Sequence, residues 1–306
     1  GETLATTKGA VVFQNELMQL IQYAPATTSV WKRPMLIVPP WVNKYYIMDL
    51  SPHNSLMKWL VDQGHTVFVI SWVNPDESFR NVTFEEYLLR GPVKALDVIC
   101  DICDTLEVNA TGLCLGGTML GIACAYLKGK GDHRVCSATF LNTLFDYEQI
   151  GDLSAFMTEP VLDALEKFIR HKGYHDGRIM ALSFNSLVEN SLFWPLFINA
   201  YIRNQDPAAH DLMYWNMDNT NLPAEMYLYL LREICQQNKL IQPGALTFDG
   251  VPIDLGSIDT PSYIVASVKD HITPWRSAFR NTQLLRGPQR FILSGSGHIV
   301  GVVNPP

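Results

Sequence analysis

The sequence is poor in charged residues and has no concentration of basic ones. Lysine and arginine together number 23 among the 306 residues, against 30 aspartates and glutamates, so the formal net charge at pH 7 is −7. Proteins that bind nucleic acid usually carry a basic patch or a basic helix. The composition therefore predicts that no nucleic acid is a main partner.

Long hydrophobic runs are missing as well. Runs such as Met35–Val38 and Val67–Ile70 fall far short of the ~20 apolar residues that a membrane-spanning helix needs. No signal-peptide pattern opens the sequence. We therefore expect no transmembrane segment and a cytoplasmic location, and we expect both ends to be cuts within a longer protein.

Cysteine is also scarce, with six residues in the whole chain. Six are too few for a disulfide scaffold at this length, so reduced thiols are expected. Cys100 and Cys103 have the C-x-x-C spacing of some metal and redox sites. Because they lie in an apolar stretch with helical spacing and no second pair accompanies them, the interior of a helix is the favoured interpretation. We expect neither a metal nor a cofactor.

Apolar runs and helical patterns alternate over the first 144 residues. Short continuous apolar runs predict buried parallel strands, as at Met35–Val38 and Val135–Leu141. Thr83 begins a capping box, which predicts a helix that Gly91-Pro92 interrupts and that then continues to Cys103. Alternation of this kind is typical of the α/β class, with a mostly parallel central sheet and helices on both faces.

The alternation stops after residue 144. From residue 145 to residue 245 the chain is aromatic and helix-like, as in Phe193–Phe197, and strand patterns return at Ser262–Val268 and Phe291–Leu293. The simplest interpretation is one sheet interrupted by a helical cap. The core would then comprise residues 1–144 and 246–306, the cap would comprise residues 145–245, and the core would stop before the final helix of the fold.

The segment Thr111–Gly117 places a cysteine where a nucleophile is expected. Cys114 stands between a predicted strand and a predicted helix, flanked by Gly112 and Gly116 in the G-x-nucleophile-x-G arrangement of the α/β-hydrolase fold. The central residue occupies a tight, strained turn, so these neighbours must lack Cβ atoms. The helix N-terminus favours the thiolate, and the Leu115 N–H would point at an oxyanion. The alternative is a glycine-rich packing turn with an incidental cysteine.

Two later strand ends supply candidates for the acid and the base. The α/β-hydrolase fold requires the chain order nucleophile, acid, histidine. Asp270 lies just past the strand Ser262–Val268, and His298 follows the strand Phe291–Leu293. We predict that Asp270 orients the imidazole and that His298 takes the thiol proton. Taken singly, Asp270 could instead be a helix cap and His298 an ordinary loop residue.

Three further residues complete the predicted site. A second oxyanion N–H should come from the loop after an early strand, and Pro39–Asn43 occupies that place. The backbone of Val42 is therefore the candidate. Trp41 in the same loop and His271 beside the predicted acid are candidates for positioning the substrate. A proline-rich turn that covers the sheet edge is the alternative interpretation of that loop.

Several blocks of the sequence resemble the polyhydroxyalkanoate synthases, in particular the single-subunit type that prefers short-chain monomers. These blocks run nearly end to end and are Leu36–Leu50, Gln63–Phe68, Ser71–Asp76, Gly112–Thr118, Tyr214–Asn216 with Thr220–Pro223, and Gly297–Pro306. The last block is long and unusual, which makes chance agreement remote. The resemblance places Cys114, Asp270 and His298 at the positions of that family's catalytic triad.

The resemblance implies an acyltransferase that polymerises 3-hydroxyacyl-CoA, with 3-hydroxybutyryl-CoA as the expected monomer, through a thioester on Cys114. CoA is then a leaving group and not a cofactor. The resemblance also implies a homodimer associated with polyester granules. Two positions depart from the family pattern, since Val73 stands where the family has arginine and Met226 where it has histidine. The family also carries a large N-terminal domain and a tail after the final Asn-Pro-Pro, and this sequence contains neither.

Two other functions stay open at this point. A cysteine-dependent hydrolase of the same fold would act on thioesters or lactones with the same three residues, and it would release free acid in place of polymer. A non-catalytic subunit for granule assembly would need none of the three residues. The presence of all three in the required order favours an enzyme.

Overall fold

An eight-stranded sheet runs through the computed structural model, which describes residues 4–186, 211–299 and 302–303. In chain order its strands are β1 (Gly9–Gln14), β2 (Met18–Tyr23), β3 (Met35–Val38), β4 (Val67–Trp72), β5 (Val108–Leu113), β6 (Val135–Leu141), β7 (Ser262–Ser267) and β8 (Gln289–Ser294). Their spatial order is β1-β2-β4-β3-β5-β6-β7-β8. The pairs β1–β2 and β2–β4 are antiparallel, and the five pairs from β4 to β8 are parallel.

The central strands β3 and β4 are mostly apolar because both faces of the sheet are covered. In β3, Leu36 and Val38 belong to one buried cluster, whereas Ile37 between them belongs to a second cluster. Successive side chains of a strand point to opposite faces, so the two clusters lie on opposite sides of the sheet. In β4, five of the six residues are buried. This is the continuous apolar pattern of a strand enclosed within a parallel sheet, and it confirms the predicted α/β class.

Helices connect the strands and pack on the sheet. They are, within the described residues, α1 (Leu56–Asp62), α2 (Phe84–Leu88), α3 (Lys94–Cys103), α4 (Leu115–Gly129), α5 (Glu159–Lys172), α6 (Gly177–Ser186), α7 (Asp211–Met217), α8 (Ala224–Tyr229) and α9 (Trp275–Leu284). In the described part of the chain no helix combines the length and the hydrophobicity needed to cross a membrane.

The predicted break between α2 and α3 is present. Thr83 and Glu86 form both hydrogen bonds of a capping box at the start of α2. Gly91 then leaves the helical conformation with φ −95° and ψ −109°. A Cβ atom at Gly91 would lie 2.4 Å from the indole ring of Trp72, so glycine allows the close approach to β4. The C-x-x-C cysteines lie in α3 as free thiols, in agreement with the helix-interior interpretation.

Between β6 and β7 the described chain is mostly helical, from α5 to α8. A short antiparallel pair also occurs there, formed by Tyr174–His175 and Leu222–Pro223, which the sequence did not predict. Helix α7 rests on the loop after β3, because Trp215 Nε1 donates a hydrogen bond of 2.8 Å to the Lys44 carbonyl. The aromatic segment 193–197 and the terminal residues 304–306 lie outside the described residues. The domain boundaries at 144 and 245 stay predictions.

Candidate active site

Cys114 joins the end of β5 to the start of α4. Its backbone has φ 52° and ψ −123°, a region that residues with a side chain rarely occupy. The turn is held by three backbone hydrogen bonds. The Cys114 N–H donates to the Leu141 carbonyl at 2.9 Å, and the Cys114 carbonyl accepts from Gly117 at 2.9 Å and from Thr118 at 3.2 Å. This strained turn lifts the thiol off the sheet at the carboxyl ends of the parallel strands.

The glycines around Cys114 are required by close packing. A Cβ atom at Gly116 would lie 2.1 Å from the Val38 carbonyl oxygen. A Cβ atom at Gly112 would lie 2.4 Å from the Cα of Gly117. These distances are shorter than any contact between non-bonded heavy atoms. The start of α4 therefore packs directly against the end of β3, which is the reason that the sequence predicted for these positions.

Asp270 lies on the loop that follows β7, and its carboxylate is held by four hydrogen bonds. Oδ1 accepts from the backbone N–H groups of Ile272 (2.9 Å) and Thr273 (2.8 Å), and Oδ2 accepts from the Thr273 hydroxyl (2.5 Å). The fourth bond comes from His298, whose Nδ1 lies 2.6 Å from Oδ2. Burial raises the pKa of Asp270, but the contacts with His298 and Thr273 lower it by more, so the carboxyl titrates below its usual range.

His298 lies on the loop after β8 and is only 8% exposed. Its Nδ1 forms the hydrogen bond with the carboxylate of Asp270. The Cys114 thiol is another hydrogen-bonding partner of the imidazole. Burial lowers the pKa of His298. The interactions with Cys114 and with Asp270 act in the opposite direction and raise it to about 10. The structure thus brings the three residues of the predicted triad into one chain of contacts.

The loops that carry Asp270 and His298 run side by side. The Val268 N–H donates to the Ser294 carbonyl at 2.8 Å, and the Lys269 N–H donates to the Ser296 carbonyl at 3.0 Å. These bonds continue the parallel pairing of β7 and β8 past the ends of the strands. Two residues that are 28 positions apart in sequence are therefore aligned by the sheet itself.

The predicted oxyanion donors lie on adjoining elements. Leu115 is the first residue of α4, and Val42 lies in the turn that follows β3. Val38 at the end of β3 pairs with Gly112 of β5, so this turn lies beside the nucleophile. The positions suit backbone N–H groups that converge on an oxygen above Cys114. Their role as oxyanion donors stays a prediction.

The two candidates for substrate positioning differ in placement. Trp41 is 1% exposed, and its ring packs against Trp72, Phe84 and Tyr87 at centroid distances of 5.9 to 6.4 Å. A side chain enclosed in this way packs within the core. This placement does not favour contact with a substrate. His271 is half-buried on the loop between β7 and α9, and its role stays a prediction.

Two polar residues that lie beside the triad are not among those predicted from the sequence. Thr273 donates its hydroxyl to Asp270, and Asn142 donates its side-chain amide to the His298 carbonyl at 2.6 Å. Asn142 is fully buried directly after β6. It lies at the same edge of the sheet as Cys114, Asp270 and His298. A polar residue directly after a buried strand of this sheet was the available signal, because functional side chains collect at the carboxyl ends of parallel strands.

The other five thiols differ from Cys114 in their surroundings. Burial raises the pKa of all five, namely Cys100, Cys103, Cys124, Cys136 and Cys235. Within the described residues, no three or more His, Cys, Asp and Glu side chains are grouped so that they could hold a metal ion. Cys114 is thus distinguished from the other thiols by its contact with an imidazole.

Comparison with known proteins finds relatives along the whole chain. A family model described as "Poly-beta-hydroxybutyrate polymerase (PhaC) N-terminus" matches residues 1–60. The chain is 45% identical over 306 residues to a poly(3-hydroxyalkanoate) polymerase of Methylorubrum extorquens. It is 43% identical over 311 residues to a poly(3-hydroxyalkanoate) polymerase subunit PhaC of Cupriavidus necator. Both alignments cover 100% of this chain.

By sequence, this chain resembles the poly(3-hydroxyalkanoate) polymerases over its full length. It spans about half the length of the curated relatives that it matches, 50% and 53% for the two proteins above. The predicted resemblance to polyhydroxyalkanoate synthases is therefore confirmed at the level of the family.

Solved structures with the same fold are more distant in sequence. An alpha/beta hydrolase fold protein from Chitinophaga pinensis superimposes with a TM-score of 0.50 at 12% identity, covering 96% of this chain and 91% of that one. Epoxide hydrolase A from Mycobacterium thermoresistibile gives a TM-score of 0.53 at 16% identity, covering 96% and 93%. At such low identity the likeness shows the fold alone, and it confirms the predicted α/β-hydrolase fold.

The two residues that depart from the polymerase pattern take no part in the triad contacts described above. Val73 directly follows β4, is half-buried, and its N–H donates to the Leu17 carbonyl at 2.9 Å. Met226 is fully buried in α8, and its N–H donates to the Val82 carbonyl at 3.1 Å. Met226 therefore packs in the buried core, and Val73 is held at the end of β4 through its backbone.

Proposed function

We propose that this chain forms the thiol-bearing part of a poly(3-hydroxyalkanoate) polymerase that transfers 3-hydroxyacyl groups from CoA to a growing polyester. The observation that carries the proposal is the contact chain from Asp270 through His298 to Cys114. The names of the relatives support the product class. The same contact chain argues against a purely structural subunit, which would need no paired thiol and imidazole.

In the first proposed step, Cys114 is acylated. His298 takes the thiol proton, and the sulfur attacks the thioester carbonyl of 3-hydroxyacyl-CoA. The oxyanion that forms accepts hydrogen bonds from the backbone N–H groups of Leu115 and Val42. The carbon–sulfur bond to CoA then breaks, and the CoA thiolate takes from the His298 imidazolium the proton that came from Cys114. One thioester has been exchanged for another, so the acyl group stays activated.

In the second proposed step, the polyester grows by one unit. His298 accepts the proton of the 3-hydroxyl of a second 3-hydroxyacyl group, and that oxygen attacks the acyl carbon on Cys114. An ester bond forms, the bond from carbon to the Cys114 sulfur breaks, and the sulfur recovers the proton from His298. Asp270 keeps its charge throughout and stabilises the imidazolium. Water must be kept out, because hydrolysis of the thioester would end the chain.

The proposal extends to the setting of the enzyme. We propose that it works in the cytoplasm as a homodimer at the surface of polyester granules, with 3-hydroxybutyryl-CoA as its monomer. The family resemblance of the sequence supports each of these points. The helical segment between β6 and β7, with α7 resting on the loop after β3, would serve as the cap that excludes water.

Brief exposure to 3-hydroxybutyryl-CoA followed by peptide mass spectrometry tests the acylation step. We expect a 3-hydroxybutyryl adduct on the peptide that contains Cys114, together with released CoA. The variant Cys114→Ala should show neither. Cys136→Ala is the matched control, since it removes a half-buried cysteine near the opposite end of β6, and it should keep both the adduct and the release.

The products then separate the competing functions. A polymerase yields polyester with little free 3-hydroxybutyrate, whereas free acid as the sole product would identify a hydrolase of the same fold. Absence of both adduct and CoA release in the wild-type protein would contradict any catalytic role for Cys114.

A further inference from the structure

Asn142 occupies an unusual position directly after β6. Its backbone is left-handed with φ 44°, and the residue is completely buried. Asparagine tolerates this conformation better than most residues that carry a side chain. A buried amide is costly unless its donors and acceptors are satisfied. The contacts of this amide therefore indicate what the residue does.

The side chain of Asn142 connects the two loops that carry the acid and the base. Its Nδ2 donates to the His298 carbonyl at 2.6 Å and lies 3.5 Å from the Gly297 carbonyl. Its Oδ1 accepts from the Ser267 hydroxyl at 3.3 Å, and Ser267 is the last residue of β7. The Asn142 N–H also donates to the Val265 carbonyl at 2.8 Å, so the residue is itself fixed to β7.

The loop that carries His298 contains glycines with open surroundings. It contains Gly295 and Gly297, and a Cβ atom at either position would meet no heavy atom within 4 Å. Glycine loses more conformational freedom on folding than any other residue, so this loop needs an anchor from outside. The short hydrogen bond from Asn142 reaches the backbone of the catalytic histidine itself.

The same turn also fixes the nucleophile. The Cys114 N–H donates to the Leu141 carbonyl at 2.9 Å. The Thr143 hydroxyl lies 3.3 Å from the Cys114 carbonyl. Residues 141–143 therefore contact the backbone of Cys114 on one side and the backbone of His298 on the other.

We propose that Asn142 is a positioning residue that holds the imidazole of His298 against the thiol of Cys114 by fixing the backbone of the histidine loop. The inference rests on the proposed function, because it assumes that these two side chains act as a pair. Asn142 touches neither the reacting atoms nor the imidazole ring in the contacts given above. Its loss should therefore change how the pair ionises while leaving both side chains present.

The test is the pH dependence of the alkylation of Cys114 by iodoacetamide, followed by peptide mass spectrometry between pH 6 and 9. Asn142→Gly removes the amide and keeps a residue that accepts a positive φ. In wild-type protein, the paired thiol should already react fast at pH 6.5. An unassisted thiol is only about 1% ionised at that pH, so we expect about ten-fold slower alkylation in Asn142→Gly at pH 6.5 and similar rates at pH 9.

Asn238→Gly is the matched control. Asn238 is also left-handed, with φ 50°, and its side chain also makes two hydrogen bonds, to the Tyr147 N–H and to Asp146. These partners do not belong to the catalytic loops. We expect this variant to lose stability while its alkylation profile stays as in the wild type. Asn142→Asp is a second variant, because it keeps the shape but turns the donor into a negative acceptor that faces the His298 carbonyl.

The outcomes separate this inference from the proposed function. If wild-type Cys114 reacts fast at pH 6.5 and both Asn142 variants keep that profile, the positioning role is overturned and the catalytic pair stands. If both variants fail to fold while Asn238→Gly folds, the role is overturned too, because Asn142 would then serve the whole fold. A wild-type Cys114 that reacts no faster than Cys136 would overturn the proposed function, and this inference with it.

Discussion

At the scale of single residues, the carboxylate of Asp270 has a fixed orientation with a chemical consequence. Oδ1 faces two backbone N–H groups, at Ile272 and Thr273, whereas Oδ2 faces the imidazole of His298. Only an oxygen can occupy the Oδ1 position. In a replacement side chain of the same shape, the terminal atom at the Oδ2 position must therefore face the histidine.

The first prediction concerns Asp270→Asn. The amide oxygen will stay with the two N–H groups, so the amide nitrogen will face Nδ1 of His298 and donate to it. The imidazole is then held in the tautomer that carries its proton on Nε2, which cannot accept the thiol proton. The corresponding change in serine proteases lowers kcat about 10⁴-fold. We expect CoA release from 3-hydroxybutyryl-CoA to fall by about 10³-fold or more.

Asp254→Asn is the control for this change. Asp254 also accepts a backbone hydrogen bond through Oδ1, from Gly256 at 2.8 Å, but it lies in the connection before β7. Its replacement should leave the rate of CoA release within about two-fold of wild type, in line with the small effects of surface substitutions. Equal rates for Asp270→Asn and the wild-type protein would exclude Asp270 as the partner of the catalytic base.

At the scale of elements, the nucleophile depends on how closely α4 approaches β3. Cys114 is held in its strained conformation because α4 begins directly against the Val38 carbonyl. The strain is maintained only while the surrounding structure enforces it. The close packing at Gly116 therefore also determines the geometry of the thiol.

The second prediction is that Gly116→Ala destabilises the protein strongly. Its Cβ would lie 2.1 Å from a backbone oxygen and 2.6 Å from the Pro39 carbonyl carbon, and backbone atoms cannot move aside as a flexible side chain would. We expect a loss of about 3 kcal/mol in the free energy of unfolding, together with loss of Cys114 acylation. Urea denaturation followed by fluorescence measures the first effect.

Gly131→Ala is the comparison for this change. Gly131 has φ +71° and nothing lies within 4 Å of its Cβ position, so its replacement costs only backbone strain, about 1 kcal/mol. It lies beyond the end of α4, far along the helix from Cys114. A Gly116→Ala protein as stable as Gly131→Ala would show that the strained turn at Cys114 is packed less closely than its contacts imply.

At the scale of the whole molecule, the parts that local patterns determine could be predicted from the sequence. The buried strand β3, the capping box at Thr83 and the break at Gly91 each depend on residues near in sequence. The order of Cys114, Asp270 and His298 could also be predicted, because a parallel sheet places the carboxyl ends of its strands at one edge.

Other features depend on contacts between distant parts of the chain, which a local pattern does not contain. Asn142 meets His298 across 156 positions, and the short strands at 174–175 and 222–223 pair only because the chain between β6 and β7 folds back on itself. From the sequence, Trp41 is predicted to position the substrate, and that role stays a prediction. Its burial against Trp72 and Tyr87 follows from tertiary packing alone.

Two buried histidines give the stability of the molecule opposite dependences on pH. The raised pKa of His298, about 10, means that its contribution is complete below about pH 6.5 and is lost as the pH rises toward 10. His175 behaves in the reverse sense. Burial lowers its pKa to about 4, although Asp176 acts to raise it, and Lys172 acts in the same direction as burial. The unfolded chain therefore binds a proton that the folded protein refuses, and stability falls as the pH drops from about 6.5 to about 4.

The third prediction follows from this lowered pKa of His175. The ring stacks on Tyr227 at a centroid distance of 5.0 Å and is 3% exposed, so His175→Phe keeps an aromatic ring in the stack and removes the proton-binding site. Between pH 7.5 and pH 5, we expect the free energy of unfolding of the wild-type protein to fall by about 2 kcal/mol more than that of the variant. The comparison uses urea denaturation at both pH values, and His53→Phe at an exposed position should keep the wild-type dependence. Parallel curves for the wild-type protein and His175→Phe would mean that the surroundings of this histidine open and hydrate it. The helical segment between β6 and β7 would then not form the closed cover that the proposed exclusion of water from Cys114 requires.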